Sequence, residues 1–385
     1  MLGDIVRLGN TLWLVIGDLP ADVPNALVYR AGGNLYLMDS GAGATMRASI
    51  IHVLREVGPV QSFTLLNSHG HPAHIGNNDL IHVAEASETH HYLSEAGLPL
   101  LKTRSSFATQ FSQLSTTYDP VTGFQAHRVL WWFAGALRDL VTVFTGERRA
   151  LELFFALYLR KFQRFRPSRE TIQPYESLPK QPLVIGEVAW TGWILGENDV
   201  WVLEARGHTP DEVIFYLPEH QMLHTADLTF PLFPTFPDSN GLVTQEMLHK
   251  CRDMAAAGAI RLLSDGHHQQ VYQGQEKVVA FLETLLREHT HFQAVLSAIL
   301  AEGDGLTVGE IYTRVRQRHN DLVVQHYLSL EFPTLPMALQ QIIAVSLPQM
   351  GYEAKGPRRK QRFYRPARHT EAEMRPRAMV GSSST

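Results

Sequence analysis

Apolar residues in the first part of the chain fall in short runs separated by turns. Residues 11–16, 26–30 and 34–39 each read as strands, the last two joined across Gly32-Gly33 as a hairpin. From 45 to 57 the spacing changes: Met46, Ile50, Ile51 and Leu54 recur at helical intervals, which predicts a helix. A further strand over 63–66 runs directly into Asn67-Ser68-His69-Gly70-His71-Pro72-Ala73-His74. Between about 94 and 180 the pattern is helical and strongly aromatic, with Trp131, Trp132 and Phe133 followed by an apolar run at 151–158. β-rich texture resumes at 182–195, 200–205, 212–217, 222–227 and 260–264. Past about 288 the pattern predicts helices at 292–300, 307–318 and 335–350. The second opens on the capping-box pair Thr307 and Glu310, and a charged hairpin at 352–365 follows the third.

This order divides the chain into a β-rich first half (residues 1–95), a helical insertion (96–180), a β-rich second half (181–287), a small winged-helix-like unit (288–366) and a tail (367–385). The tail lacks hydrophobic periodicity and is expected to be disordered. Two uses of the insertion are open. It buries its aromatics against the main body or a second subunit, as in a homodimer, or it walls an apolar substrate pocket.

Composition narrows the partners. The chain has 385 residues, 44% hydrophobic and 19% charged, as expected for two or three folded units. A net charge of -4 gives no overall attraction to nucleic acid or anionic membrane. The basic hairpin residues Lys355, Arg358, Arg359, Lys360, Arg362 and Arg365 are therefore read as a solvated wing in preference to a phosphate-binding one. The single cysteine, Cys251, excludes an intrachain disulfide and thiolate zinc sites, and fits a reducing compartment. Asp4 and Arg7 interrupt any secretory apolar core, and no apolar run approaches the roughly 18 residues of a membrane span, so a cytoplasmic location is expected.

The chemistry gathers at strand ends. His69 and His71 alternate just past a strand, so both imidazoles can converge on one point, and neutral imidazole is a common zinc ligand. His208, Asp227 and His267 each close a later strand, and groups at strand termini on one sheet edge form a single site. Asp39 also ends a strand, before a Gly-rich loop. It is either a turn former or helix cap, or a carboxylate that orients a metal-bound histidine from behind.

Five motifs carry a family resemblance over about residues 5–285: the Asp39 loop, the histidine cluster, Gly207-His208-Thr209-Pro210, the strand ending at Asp227, and Gly266-His267. Together they resemble the metallo-β-lactamase superfamily, one hydrolase branch of which also carries a C-terminal winged-helix-like unit. The resemblance implies a four-layer αββα sandwich of the α/β class, with the site at one edge. It implies a first metal on His69, His71 and His208, a second on His74 and His267, and Asp227 bridging them. The chain departs from the family pattern at Ala73, where the family has an aspartate that binds the second metal. Two explanations are open. Ala73 is natural to a one-metal or weak-second-metal enzyme, or it replaces the aspartate deliberately; the intact remaining motifs favour replacement.

The expected cofactor is zinc, one firmly and one weakly held ion with Ala73 and two with Asp at that position, with iron or manganese as alternatives. The expected activity is hydrolysis by zinc-bound hydroxide of a small apolar or aromatic ester, lactone, thioester or activated aromatic, impaired by Ala73. Phe233 and Phe236, after Asp227, extend the pocket candidates Trp131, Trp132 and Phe133. The alternatives are a nucleic-acid-processing metallohydrolase and a non-catalytic binding protein of the same fold.

Overall fold

A computed structural model describes residues 2–18, 23–102, 140, 143–144, 166–167, 172–230, 234, 236, 238–268, 270–329, 335–356 and 361–365. Among these, two seven-stranded sheets form the centre. The first runs in the order β1 (Ile5–Arg7), β2 (Leu12–Val15), β3 (Ala26–Ala31), β4 (Asn34–Met38), β5 (Val60–Leu66), β6 (Ala86–Leu93), β7 (Gln173–Pro174). The second contains β8 (Gln181–Ile185), β9 (Val188–Leu195), β10 (Val200–Glu204), β11 (Val213–Leu217), β12 (Met222–His224), β13 (Leu262–Ser264) and β14 (Tyr272–Gln273), also in sequence order.

Period-two alternation explains why both sheets are covered twice. In β11, Val213, Phe215 and Leu217 join the cluster between the sheets with Leu14, Tyr29 and Trp193, while Ile214 and Tyr216 face the opposite way. That opposite face packs on α4 (Gly241–Ala256) and the first part of α5 (Gln275–Glu302). In the first sheet, Trp13, Val28, Leu35 and Phe63 pack on α1 (Ala44–Val57) through Met46, Ile50 and Val53. The layers are therefore α, β, β, α, with the inter-sheet core in the middle. Two short helices, α2 (Pro72–Ile75) and α3 (Leu98–Lys102), lie in the loops of the first sheet.

The C-terminal residues build a fourth apolar cluster. α6 (Val308–Gln317), α7 (Leu322–Ser329), α8 (Leu335–Gln349) and the small sheet β15 (Leu306–Thr307), β17 (Arg362–Tyr364), β16 (Glu353–Lys355) surround it. The capping box is formed: Thr307 Oγ1 accepts from Glu310 N–H, and Glu310 Oε2 accepts from Thr307 N–H. The described hairpin cations are engaged within the chain. Lys355 pairs with Glu353, Arg362 with Glu310, and Arg365 donates to the carbonyls of Leu300 and Ala301.

Several elements differ from the sequence expectation. The boundary expected at 287/288 falls inside α5, a continuous helix whose buried residues run from Val278 to Leu300 and serve two clusters. β7 returns the chain to the first sheet before residue 180, and Tyr175 is buried in the inter-sheet core. β6, α4 and α7 were not anticipated. β6 carries Ser87-Glu88-Thr89-His90 on a half-exposed stretch, which hides its alternation. Trp131, Trp132 and Phe133 of the insertion, Phe233, and the tail at 367–385 lie outside the described residues. No described helix is long and apolar enough to cross a membrane.

Candidate metal centre

Sheet register brings the candidate residues to one edge. β4 pairs in parallel with β5, Met38 opposite Leu66, so Asp39 and Asn67 leave their strands side by side. β12 pairs in parallel with β13, His224 opposite Ser264, which places the Asp227 and His267 loops together. β10 ends and β11 begins at the same edge, and the Val213 N–H donates to Ser68 O at 2.9 Å, stitching the second sheet to the histidine loop. Asn25 makes a similar tie: its N–H donates to Gly266 O, and its side chain donates to the carbonyls of Asp265 and His268. Asp39, Arg206 and Ala226, each close to the cluster, hold positive φ of 57°, 50° and 45°. Backbone strain of this kind concentrates where side chains must be aimed.

Two donor sets result. One ligand atom each from His69, His71, His208 and Asp227 lies within 4.8 Å of the others, and the same holds for His74, Asp227 and His267; all are buried. In the first set, His208 Nε2 lies 3.2 Å from His71 Nδ1 and 3.5 Å from Asp227 Oδ2, and His69 Nε2 lies 3.9 Å from Asp227 Oδ2. Two ligands of one tetrahedral ion at 2.0–2.1 Å stand about 3.3 Å apart, so these separations fit an ion at the centre. In the second set, Asp227 Oδ1 is 3.2 Å from His74 Nε2 and 3.3 Å from His267 Nε2. The two oxygens of Asp227 thus face one set each.

The Nδ1 atoms of His69 and His74, which point away from the centre, are tied down. Asp39 Oδ1 accepts from Ser68 N–H at 2.8 Å, and Oδ2 accepts from Ser68 Oγ at 2.7 Å and from His74 Nδ1 at 2.8 Å. Ser68 Oγ spends its proton on Asp39, so it accepts from His69 Nδ1 at 3.0 Å, which leaves the His69 Nε2 lone pair toward the centre. That Nε2 is buried without a hydrogen bond inside the protein. A donor set with a buried, unused lone pair is what a bound cation satisfies.

Electrostatics keep His69 and His71 neutral and set His74 apart from them. Burial, with help from neighbouring histidines, holds His69 and His71 well below the usual histidine range, so both are neutral. For His74 burial acts downward, but Asp227 and Asp39 outweigh it and hold the imidazole well above that range. Burial pushes Asp227 upward and is outweighed by His267 and His74, which keep it a carboxylate.

Ala73 sits on α2, and its methyl group belongs to the apolar cluster beneath α1. It contributes no donor, so the second set has three protein ligands. Phe236 is brought to the centre, its ring 4.5 Å from the His71 ring and 5.7 Å from that of His208. Phe230, which opens the aromatic stretch after Asp227, lies 5.2 Å from the His267 ring.

Two supporting carboxylates were also missed. Asp211 Oδ2 accepts from Gly70 N–H, between His69 and His71, at 2.7 Å, and burial raises its pKa. Glu212 Oε2 accepts from the N–H groups of Gly207 and His208; burial, partly offset by those hydrogen bonds, pushes it up to about 8. An acidic pair directly before the all-apolar β11 was the available signal, since such charges are buried only with a task.

An αββα sandwich with a His- and Asp-lined cluster at one edge defines a class of metal-binding hydrolase folds. Residues 19–281 match the model of the metallo-beta-lactamase superfamily, and the chain belongs to that superfamily. Among solved structures it is similar to a metallo-beta-lactamase family protein from Thermus thermophilus, with TM-score 0.57, 18% identity, 94% of this chain covered and 100% of that one. A beta-lactamase domain protein from Burkholderia ambifaria aligns with TM-score 0.56 and 15% identity over 95% and 94%. A double mutant of the sec-alkyl sulfatase PisA1 aligns with TM-score 0.51 and 13% identity over 91% of this chain and 51% of that one. The search of curated proteins finds no match.

Proposed function

We propose that this chain is a metal-dependent hydrolase of a small apolar or aromatic substrate carrying an ester, lactone, thioester or activated aromatic bond. The observation that carries the reading is the convergence of His69, His71, His208 and Asp227 on one point, with a second set sharing Asp227. Nitrogen and carboxylate donors without thiolate suit zinc, with iron or manganese as alternatives. Such an ion supplies Lewis acidity and a water that ionises near neutral pH.

The protein's own part is positional. Asp39 and Ser68 fix the orientation of His74 and His69, and Asp227 offers a carboxylate that would accept a hydrogen bond from an attacking water and position it. Phe236 and Phe230 flank the two donor sets and exclude water, giving the mouth an apolar, aromatic lining. With three protein donors in the second set, turnover is limited by Ala73. We read residues 288–366 as a winged-helix-like appendage, supported by the order of α6, α7, α8 and the hairpin.

The test is a panel of aryl esters, lactones, thioesters and an alkyl sulfate ester, with zinc-loaded wild type and Ala73→Asp. Ala73→Asp should raise kcat on at least one substrate by about 10-fold or more, the scale of a lost metal ligand or its support. Absence of hydrolysis by both proteins across the panel contradicts the reading.

A further inference from the structure

The C-terminal cluster reaches the centre through one side chain. Gln349, the last residue of α8, holds the loop between Asp227 and α4 with both ends of its amide: Oε1 accepts from Gly241 N–H at 2.8 Å, and Nε2 donates to Ser239 O at 2.9 Å. Ser239 Oγ in turn donates to His208 O at 2.6 Å and accepts from Phe236 N–H at 3.0 Å. One residue, Ser239, therefore separates α8 from a candidate ligand and from Phe236, whose ring is tilted against that of His71.

The surroundings make this relay stiff. Asn240, between the two clamped residues, caps α4 by accepting from Leu242 and Val243, and its own N–H donates to Gly207 O at 2.8 Å. A Cβ at Gly207 would lie 2.4 Å from Thr244 Oγ1, so the His208 loop is pressed against the start of α4. Phe230, on the same loop, packs on the C-terminal cluster while its ring meets His267. A shift of α8 has little slack to take up before His208 and Phe236 move.

We propose that Gln349 is a positioning residue for the metal centre: through Ser239 it sets the His208 loop and the Phe236 ring, so the C-terminal helices tune ligand geometry and the pocket wall. The metal arm of the test below rests on the hydrolase reading; its metal-free arm does not.

Histidine-selective NMR of the metal-free full-length chain compares wild type with Gln349→Met, which keeps the side-chain length and removes both hydrogen bonds. The His71 ring proton, shifted by the Phe236 ring current, and the His208 ring proton both move, while that of His52, exposed on α1, does not. Ser239→Ala, which cuts the relay at its middle, moves the same two resonances. Arg365→Met, which loses hydrogen bonds to Leu300 and Ala301 in the same cluster, leaves them in place. In parallel, the Co²⁺ dissociation constant rises about 3- to 10-fold in Gln349→Met, below the 10- to 100-fold of a partner that touches the ligand ring itself. Superposition of the His71 and His208 resonances of Gln349→Met on those of wild type overturns the proposal. If those resonances move and wild type takes up no Co²⁺, the hydrolase reading fails and the positioning role stands.

Discussion

At the scale of single residues, the centre depends on which nitrogen of each histidine is free. Asp39 decides this for His74 directly and for His69 through Ser68, so one buried carboxylate prepares a ligand in each donor set. Replacing it with alanine leaves Ser68 N–H and His74 Nδ1 without their acceptor. Asp39→Ala should weaken metal binding by about 10- to 100-fold, the usual effect of losing a carboxylate behind a ligating histidine. Isothermal titration with Zn²⁺ measures this, and an unchanged affinity would show that Asp39 serves only the turn. Ala73 is the complementary case, a position whose methyl group has joined the core and offers the neighbouring donor set nothing.

At the scale of elements, the centre is a product of strand register and of loops too tight for ordinary side chains. A Cβ at Gly266 would stand 2.5 Å from Asp227 Oδ1 and 3.1 Å from Ala226 O. Gly266→Ala must displace the bridging carboxylate, so both donor sets should weaken together. A loss of about 1–3 kcal/mol in stability is expected as well, as for an overpacked core. Equilibrium dialysis with Zn²⁺ and urea unfolding read the two effects; wild-type affinity in this variant would mean that Asp227 is not held by this close approach. These elements also mark what the sequence could reveal. β2, β3, β4, β10 and β11 are apolar on both faces and His69, His71, His208, Asp227 and His267 follow strand ends, so the sandwich and the gathering of these side chains at one edge were legible. β6 was not, because its exposed half carries polar residues, nor were Ser239 and Gln349, whose roles come from hydrogen bonds to residues distant in sequence. The division at 287/288 falls inside α5, which serves two clusters without a break in the helix.

At the scale of the whole molecule, two sheets, each covered outside by helices, are held in register at the edge where the centre lies. Acid should loosen this assembly through buried neutral histidines. Burial drives His91 from 6.5 down to about 3 and His289 to about 4. A depressed histidine pKa means that the unfolded chain takes up the proton first. Their contribution is therefore complete above pH 6.5 and falls as pH drops toward 3 and 4, by at most about 1.4 kcal/mol per pH unit for each group. Urea midpoints of metal-free protein between pH 7.5 and 5 should fall less steeply for His91→Gln than for wild type, and parallel slopes would contradict the assignment. The central claim is that residues from both sheets hold one cation. Metal analysis of purified wild type and His208→Ala tests it most directly. The account predicts about one firmly held ion per chain in wild type, as a closed set of His and Asp ligands requires, and none in His208→Ala. A metal-free wild type after Zn²⁺ loading, or an equal metal content in the two proteins, would contradict it.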